Sequence, residues 1–455
     1  MDPRNTIKHF PRYRDHYPIL KDHISASEVI TPHGSELLIY DTVTEAKKYP
    51  NRAAFNFLRL ATGEKPFEQI VQELSTQSGE PPEQIWPGLT GLAEKMVESG
   101  LLTIAESPLP QRNPPPSVHL VYRLERVTFE TTRKCNLRCM HCYSDSGAPR
   151  KDELTVEEIK GFIDQLADIG VLAIAFSGGE PLCHPRLFEL MEYARRKPLT
   201  VTLSTNGTLI TPEVVSKLKE LEVCRVDVSI DGPAAETHDQ FRRVKGAFEK
   251  TIQGVTLLVN AGITVDASVS VNKSNYKKVK HILELLNNVG VNDFKVWPIR
   301  FTGRPDEEDF FVTPEEFREV MEAVREYEFE ERGKTGKEEY RYSTLENCGI
   351  GSTRLVIKSN GVVTPCLSFE EDVSLGTIRE QSIADIWNDS PLLNMLRSMS
   401  VFKTEICRDC ELALMCKGGC IAETYRGTGK FSCYDKYECV AFEVTKDDYI
   451  YVEDT

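Results

Sequence analysis

Thirteen cysteines in a chain of 455 residues are the feature that most restricts what this sequence can fold into, because they fall into groups. None precedes position 135, three lie within residues 135–142, and eight lie within residues 348–439. An odd number cannot all pair as disulfides, and the N-terminal residues contain no apolar segment typical of an export signal. We therefore expect a cytoplasmic protein whose cysteines serve metal or redox chemistry.

Composition and charge exclude several classes of protein. A hydrophobic fraction of 40% and a charged fraction of 27% are typical of globular chains and exclude a disordered or fibrous one. The 55 basic and 70 acidic residues give a net charge of −15, which repels phosphate, so nucleic acid is not an expected partner. The longest apolar run, at residues 169–176, is far shorter than the ~20 residues of a membrane span, so no membrane partner is expected either.

Apolar segments and helical patterns alternate at least six times between residues 123 and 332. Repeated strand–helix units predict an α/β protein with a parallel sheet, and six units predict an open or partial barrel with its active residues at the carboxyl ends of the strands. The predicted strands are residues 127–131, 172–176, 200–204, 225–230, 265–271 and 293–298. The clearest helical patterns are residues 156–168, 212–221, 246–260 and 276–289.

The first 105 residues predict a small domain like a winged helix-turn-helix. A DNA-binding role is not expected, because residues 1–105 contain 14 acidic and 11 basic residues, and residues 81–100, in the third helix, contain one lysine and no arginine. Such a fold can instead add an extended peptide to an exposed sheet edge, and a docking or stabilising domain without a ligand is the remaining alternative. The predicted elements are a strand at residues 36–41, helices at 52–61, 66–75 and 82–99, and a strand at 101–104.

Two irregular stretches divide the rest of the chain. Residues 107–117 are rich in proline, which fixes φ and removes backbone donors, so we predict a linker there. After about residue 340, cysteine, glycine and short turns replace the apolar periodicity, and such a segment needs metal centres to stabilise it. The predicted domains are residues 1–105, the linker 106–117, the barrel 118–335 and a cysteine-rich domain 336–455.

Cys135, Cys139 and Cys142 directly follow the first barrel strand, which places three thiols in one loop at the active edge of the sheet. An iron–sulfur cube normally binds four thiolates, so three leave one iron open to a small molecule. A zinc site is the alternative, but structural zinc requires four ligands, and the spacing is not that of paired zinc knuckles. His141 would be strained as a fourth ligand because it lies beside Cys142.

Short polar motifs follow the next three strands. They are Ser-Gly-Gly-Glu-Pro at 177–181, Ser-Thr-Asn-Gly at 204–207 and Ser-Ile-Asp-Gly at 229–232, followed by His-Asp-Gln-Phe-Arg at 238–242. Each motif alone is typical of a turn before a helix. In this order, after Cys-x3-Cys-x2-Cys, they resemble the radical S-adenosylmethionine (radical SAM) superfamily. The resemblance implies a partial (β/α)6 TIM-like barrel, a [4Fe–4S] cluster on the three cysteines, and S-adenosylmethionine as cofactor.

The same resemblance assigns cofactor contacts to residues at the strand ends. By this assignment, the methionine ammonium is held by Gly178, Gly179 and Glu180. The ribose and methionine are contacted by Ser204, Asn206 and Ser229. Arg242 holds the methionine carboxylate, and His141 approaches adenine. The implied reaction passes one electron to S-adenosylmethionine, which splits into methionine and a 5′-deoxyadenosyl radical that removes a hydrogen from the substrate. No general base is assigned.

The C-terminal cysteines have a distinctive spacing. It reads Cys348-x12-Gly361-x4-Cys366, then Cys407-x2-Cys410-x5-Cys416-x3-Cys420-x18-Cys439. This is similar to the SPASM extension of peptide-modifying radical SAM enzymes, which carries two auxiliary [4Fe–4S] clusters. A zinc ribbon would explain only the four cysteines between 407 and 420. The resemblance therefore implies three clusters in all.

By this resemblance, four cysteines close the second auxiliary cluster and three hold the first. Some relatives place a fourth ligand of the first cluster near the position of Arg354, but no cysteine lies between 348 and 366, so we predict an open iron there. Cys433 is either a small buried residue or a substitute ligand, and Cys183 and Cys224 are predicted core residues. The second cluster would take Cys407, Cys410, Cys416 and Cys439, and the first Cys348, Cys366 and Cys420.

The resemblance covers nearly the whole chain and implies an oxidoreductase that matures a ribosomally made precursor peptide, with a PqqD-like N-terminal domain that binds the leader. An open iron favours thioether formation between a cysteine sulfur and a carbon atom, as in sactipeptide and ranthipeptide enzymes. The alternatives are an oxidation like that of sulfatase maturases, or carbon–carbon crosslinking; these commonly accompany a closed first auxiliary cluster. The charge disfavours an iron–sulfur DNA sensor. A low-potential donor such as ferredoxin or flavodoxin would supply electrons.

Overall fold

The computed structural model describes residues 13–32, 34–109, 115–299, 304, 310–330, 333, 338–342 and 347–453. By their contacts the residues divide into two compact units. The first contains Met1–Arg123 with Leu166–Leu172 and Arg196–Thr200, and the second contains the remainder. Part of the predicted linker, residues 110–114, and the predicted domain boundary at residue 335 lie outside the described residues.

The first unit combines short strands with three helices. They are β1 (Tyr17–Leu20), β2 (Ile24–Thr31), β3 (Gly34–Asp41), β4 (Lys47–Lys48), α1 (Arg52–Leu60), α2 (Phe67–Ser78), α3 (Pro82–Glu98), β5 (Leu102–Ala105) and β6 (Ser117–His119). β2 and β3 form an antiparallel hairpin, β4 pairs with the end of β3, and β6 pairs in parallel with β2, while β1 pairs with β5. The three helices lie where the sequence predicts them; their winged helix-turn-helix arrangement remains a prediction.

Aromatic side chains from all three helices form the core of the first unit. The rings of Phe57 in α1 and Phe67 in α2 lie 5.7 Å apart, and Phe67 lies 5.8 Å from Trp86 in α3. The side chain of Asn51 caps α1 by accepting a hydrogen bond from the Ala54 amide at 2.9 Å. The helices are therefore held by ring packing and ordinary caps.

Six parallel strands form the barrel of the second unit. They are β7 (Arg126–Glu130), β8 (Ala173–Ser177), β9 (Thr200–Thr205), β10 (Arg225–Ser229), β11 (Val265–Val271) and β12 (Asp293–Pro298). The strands lie in sequence order in the sheet, and each described register is parallel. All five residues of β8 are buried, as expected for a strand covered on both faces. The predicted partial barrel is confirmed.

Helices connect these strands, so that the carboxyl ends of all six meet at one edge of the sheet. The helices are α4 (Val156–Asp168), α5 (Leu187–Arg195), α6 (Pro212–Glu220), α7 (Ala235–Arg242), α8 (Ala247–Asn260), α9 (Val279–Asn288) and α10 (Pro314–Glu330). The four helices predicted from the sequence are α4, α6, α8 and α9. None of the helices in the described part of the chain is long and apolar enough to cross a bilayer.

Residues 347–453, which we call the cysteine-rich extension, continue the barrel sheet. Their elements are β14 (Arg354–Ile357), β15 (Val362–Thr364), β16 (Gly376–Thr377), α11 (Ile383–Asp389), α12 (Pro391–Arg397), α13 (Ala413–Cys416), α14 (Ile421–Thr428), α15 (Lys436–Thr445) and β17 (Tyr449–Glu453). β14 pairs in parallel with β7, β15 and β16 follow antiparallel, and β17 pairs with β13 (Glu338–Tyr342). Barrel and extension thus share one nine-stranded sheet.

Candidate functional site

The loop after β7 brings Cys135, Cys139 and Cys142 to the carboxyl edge of the barrel. Two backbone amides point at the thiols: Leu137 N lies 3.4 Å from Cys135 Sγ, and Ser146 N lies 3.2 Å from Cys142 Sγ. Amides directed at sulfur stabilise a thiolate. We call residues 135–146 the cluster loop.

Arg304 fixes the cluster loop from a distant part of the chain. Its Nη1 donates to the Cys139 carbonyl at 2.8 Å, and its Nη2 donates to the Ser146 carbonyl and to Asp145, both at 2.8 Å. The backbone amide of Arg304 also donates to the Cys142 carbonyl at 3.0 Å. Local sequence patterns do not indicate this contact, because 165 positions separate Arg304 from Cys139.

Arg242, at the end of α7, lies against the same loop. Its Nη1 lies 3.5 Å from Cys139 Sγ, and its Nη2 donates to the carboxylate of Asp231, which follows β10. Its Nε is buried without a hydrogen-bond partner among the described residues. An unpartnered buried guanidinium donor suits an anion such as the carboxylate of an amino-acid cofactor, so Arg242 fits its predicted contact.

The two glycines after β8 allow the chain to approach residues 131–134, directly before the cluster loop, closely. A Cβ atom on Gly178, whose φ is +130°, would lie 2.5 Å from the Thr132 carbonyl, and one on Gly179 would lie 2.6 Å from the Lys134 carbonyl. The amide of Gly179 donates to the Thr132 carbonyl at 2.8 Å. Any larger residue would therefore separate these two strand ends.

Glu180 is fully buried and its carboxylate is bound inside the protein. Oε1 accepts from Thr205 Oγ1 at 2.8 Å and from the Leu182 amide at 3.1 Å, while Oε2 accepts from the Asn206 amide at 2.8 Å. Burial raises the pKa of Glu180, and these donors oppose that rise. Glu180 thus ties the end of β8 to the end of β9, and its contact with an ammonium group stays a prediction.

The remaining predicted cofactor residues also lie at this edge. Ser204 is in β9 and Ser229 ends β10, both partly buried, while buried Asn206 donates to Asn136 of the cluster loop at 2.9 Å. The ring of His141 stacks on Phe241, with centroids 4.3 Å apart and an interplanar angle of 10°. Burial lowers the pKa of His141 well below its usual value, and its Nδ1 has no partner among the described residues.

A second group of thiols surrounds a cavity in the extension. Cys348, Cys366 and Cys420 line a cavity of about 220 Å3, and Arg354, the first residue of β14, lines it too. These are the three cysteines predicted for the first auxiliary cluster, and Arg354 stands near the position where some relatives have a fourth ligand. Burial raises the pKa of Cys366 to about 12, so binding of iron must displace a proton.

The other four predicted ligands also form one group. Cys416 and Cys439 share a hydrogen bond, and the charge of Cys407 interacts with those of Cys439 and Cys410. Within the described residues, no three cysteine, histidine or carboxylate side chains are close enough to share a single metal ion. A cube separates its ligands more widely, since each thiolate binds a different iron. Widely spaced thiols are therefore compatible with a cube.

The three remaining cysteines differ from one another. Cys433 is buried and its charge interacts with those of Cys348 and Cys407, so it lies between the two auxiliary groups. Cys183 is partly exposed and close to the Asn136 amide, Glu180 and Lys134, so the prediction of an apolar core position is wrong for it. Its position in the turn after the glycines explains this. Cys224 is also only partly buried.

A buried ion pair joins the extension to the barrel. Lys358 Nζ, just after β14, donates to Glu130 Oε1 at 3.0 Å at the end of β7, and both side chains are at most 4% exposed. Lys358 also lies 5.6 Å from the ring centre of Tyr143, which follows the cluster loop's last cysteine. The sequence did not indicate this pair, because it depends on β14 pairing with β7.

Comparisons with known proteins agree with this geometry. Residues 129–286 match the Radical SAM superfamily, and residues 348–411 match SPASM, an iron–sulfur cluster-binding domain. The chain is 35% identical over 331 residues to an AdoMet-dependent heme synthase of Methanosarcina barkeri, covering 67% of this chain and 93% of that protein.

Two peptide-related proteins are also similar. The antilisterial bacteriocin subtilosin biosynthesis protein AlbA of Bacillus subtilis is 31% identical over 357 residues, covering 76% of this chain and 78% of AlbA. The crystal structure of Streptococcus suis SuiB bound to its precursor peptide SuiA has the same fold, with a TM-score of 0.66, 16% identity and coverage of 92% of this chain and 98% of SuiB. This chain therefore belongs to the radical SAM enzymes and carries a SPASM iron–sulfur cluster-binding domain.

Proposed function

We propose that this enzyme modifies a ribosomally made precursor peptide by joining a cysteine sulfur to a carbon atom in a thioether. The observation that carries the proposal is the cavity lined by Cys348, Cys366 and Cys420, with Arg354 in place of a fourth thiol. Three protein thiolates leave room on a cube for a thiolate of the substrate, and thiolate is a preferred ligand of iron–sulfur clusters.

Relatives support a peptide substrate. AlbA acts in subtilosin biosynthesis by its name, and SuiB has been crystallised with its precursor peptide. In the first unit, β4 pairs only with Ile39 and Tyr40 of β3, so residues 34–38 have a neighbour on one side only among the described strands. An open strand edge can bind an extended leader by strand addition. We assign leader binding to this edge.

The chain would hold three [4Fe–4S] clusters, on Cys135, Cys139 and Cys142 and on the two thiol groups of the extension. With S-adenosylmethionine, the first would supply a 5′-deoxyadenosyl radical for hydrogen abstraction. Arg242 would hold the cofactor's carboxylate with its unpartnered Nε. Arg304 would hold the cluster loop, and the glycines after β8 would hold the residues that lead into it, so that the cofactor would bind in a fixed orientation.

Heme synthesis is the second candidate, because the heme synthase of M. barkeri has the higher identity. That match, however, includes 93% of the heme synthase and leaves a third of this chain without a counterpart. The likeness to SuiB covers 92% of this chain. A peptide substrate with a leader gives a role to the third of this chain that has no counterpart in the heme synthase.

The proposal can be tested with the anaerobically reconstituted holoenzyme, S-adenosylmethionine, a reductant and the precursor peptide encoded beside its gene. We expect the product to lose two hydrogens per crosslink and its cysteine to resist alkylation. A precursor with that cysteine replaced by serine is the control and should give no crosslink. Loss of hydrogens with the thiol still open to alkylation would favour carbon–carbon crosslinking, and heme production in place of peptide modification would refute the proposal.

A further inference from the structure

A cation lines the cavity of the first auxiliary thiols. Arg354 lies there with Cys348, Cys366 and Cys420, and it is the one permanently charged side chain among the described residues that line the cavity. The cavity therefore offers one fixed positive charge and no carboxylate to whatever binds beside the thiols. Its other lining residues are uncharged and mostly apolar: Gly349, Ile350, Thr353, Pro365, Ile421 and Ala422.

The Arg354 side chain is exposed and has no partner in the described part of the chain. It begins β14, whose next three residues are buried, so the strand carries a charge at its exposed start. No ion pair or side-chain hydrogen bond joins Arg354 to a described residue. Arg126 of β7 lies beside it in the parallel register. Neighbouring like charges repel each other, so a bound anion would stabilise this place.

The acidic residues near this place do not neutralise Arg354. Glu125, whose amide donates at 2.9 Å to the carbonyl of the residue before Arg354, forms no ion pair with it. The Glu438 carboxylate acts on Cys348, and so does the Lys417 ammonium, which has the opposite sign. Within the described residues the charge of Arg354 is therefore available to a ligand.

The size of the cavity limits what can reach the thiols and Arg354 together. Its volume is about 220 Å3, smaller than the ~300–1,000 Å3 of typical ligand sites. An extended peptide advances by about 3.3–3.6 Å per residue. A thiolate and a second group that both reach this cavity therefore belong to the same residue or to neighbouring residues of the substrate.

We propose that Arg354 selects a precursor peptide whose cysteine stands next to an acidic residue, because its guanidinium binds that carboxylate. The inference rests on the proposed function, in which the substrate thiolate enters this same cavity. A guanidinium pairs with a carboxylate through two parallel hydrogen bonds, which fix direction as well as distance. Thiolate and carboxylate together hold the peptide at two points, so that one carbon atom is presented to the radical.

Two short peptides of matched size test the inference. Acetyl-Asp-Cys-Asp-amide has a carboxylate on each side of the cysteine, and acetyl-Asn-Cys-Asn-amide replaces both by neutral amides. Each is titrated into the dithionite-reduced holoenzyme in about 0.15 M salt, which screens the general repulsion by an acidic protein. The change in the electron paramagnetic resonance signal of the auxiliary clusters gives a Kd for each peptide.

In wild type we expect the acidic peptide to bind about tenfold more tightly, the effect of a hydrogen bond to a charged group. Arg354→Gln should abolish that preference by weakening the acidic peptide alone, and Arg354→Lys should keep part of it. The matched control is Arg379→Gln, which removes another exposed cation of the extension that does not line the cavity. It should leave both Kd values within about twofold of wild type.

Equal Kd values for the two peptides in wild type, or a preference that persists in Arg354→Gln, would overturn the inference and leave the open iron intact. If neither peptide changes the signal, the substrate thiolate does not bind the first auxiliary cluster, and the proposed function fails together with the role of Arg354. Should Arg354→Gln lose iron, Arg354→Lys makes the same comparison, because a preference equal to that of wild type would count against a guanidinium–carboxylate pair.

Discussion

The barrel and the cysteine-rich extension are specified in different ways, although they share one sheet. Barrel strands such as β8 and β11 are long and almost wholly buried. The extension's strands β14–β16 have four, three and two residues, and its hydrophobic core includes the buried thiols Cys407 and Cys433. The barrel is thus determined by its apolar pattern, whereas the extension depends on its attachment to β7 and on what its thiols bind.

The largest expected effect is the loss of S-adenosylmethionine cleavage without loss of the barrel fold. Replacing Cys135, Cys139 and Cys142 by alanine should remove about one third of the iron, the share of one of three clusters, and abolish S-adenosylmethionine cleavage. The barrel core should be unaffected, because its strands do not depend on these thiols. Iron content and 5′-deoxyadenosine production check this; Cys224→Ala is the control. Undiminished 5′-deoxyadenosine from the triple variant would show that another site cleaves the cofactor.

The second prediction concerns the buried Lys358–Glu130 ion pair between the extension and the barrel. Lys358→Met leaves the Glu130 carboxylate buried and unpaired, which should lower the free energy of unfolding by about 4 kcal/mol. Lys358→Met/Glu130→Leu removes both charges and should recover most of that loss. Urea unfolding followed by circular dichroism measures both. If the single and double variants are equally unstable, the ion pair is not what holds the extension to the barrel.

The comparison also explains what the sequence could predict. The six barrel strands were located within about two residues, because each lies next to a recognisable helical pattern. β8 is covered on both faces and gives a continuous apolar run, whereas β10 and β12 are partly exposed. The two auxiliary thiol groups follow from cysteine spacing and resemblance. The pairing of β14 with β7 could not be predicted, since a four-residue strand carries no signal of its partner.

The contacts that complete the site were missed for the same reason. Arg304 and the Lys358–Glu130 pair join residues more than 150 positions apart, and nothing in the local sequence marks either. The prediction for Cys183 is wrong because its neighbours in space are Lys134, Asn136 and Glu180, and nothing in the local sequence indicates these polar contacts. Local patterns identify elements and motifs, whereas close contacts between distant loops depend on the assembled sheet.

A third prediction compares one glycine from each region. Gly178→Ala in the barrel and Gly418→Ala in the extension both place a Cβ under 3 Å from a carbonyl oxygen, that of Thr132 or Cys433, at positive φ. Each should cost about 2 kcal/mol in unfolding free energy. Only Gly178→Ala should also weaken binding of S-adenosylmethionine, by about tenfold or more, because it displaces Thr131 and Thr132, which lead into the cluster loop.

Thermal unfolding and equilibrium dialysis with S-adenosylmethionine provide the two measurements. Gly161→Ala is the matched control, since a Cβ there meets nothing within 4 Å and alanine favours the helix α4. It should leave cofactor binding unchanged and stabilise the protein slightly. Equal loss of cofactor binding in Gly178→Ala and Gly418→Ala would mean that the two regions do not act separately on the cofactor site.

The smallest expected effect concerns a surface ion pair between the extension and helix α4 of the barrel. Arg379 in the extension donates to Glu158 of α4 at 2.7 Å, and this hydrogen bond lowers the pKa of Glu158 to about 2. Both side chains are about one third exposed, so solvent screens the ion pair. A double-mutant cycle of Arg379→Ala and Glu158→Gln should therefore give a coupling free energy of about 0.5 kcal/mol.

Because the pKa of Glu158 is depressed in the folded protein, the coupling is fully present above the unfolded pKa of ~4.3 and is lost as the pH falls toward 2. Urea titrations should therefore give the same coupling at pH 8 and pH 5.5 and a smaller one below about pH 4. A coupling near zero at every pH, with Arg379→Ala still destabilising, would mean that Arg379 acts through the carbonyls of Asp152 and Glu153, to which it also donates, and not through the charge of Glu158.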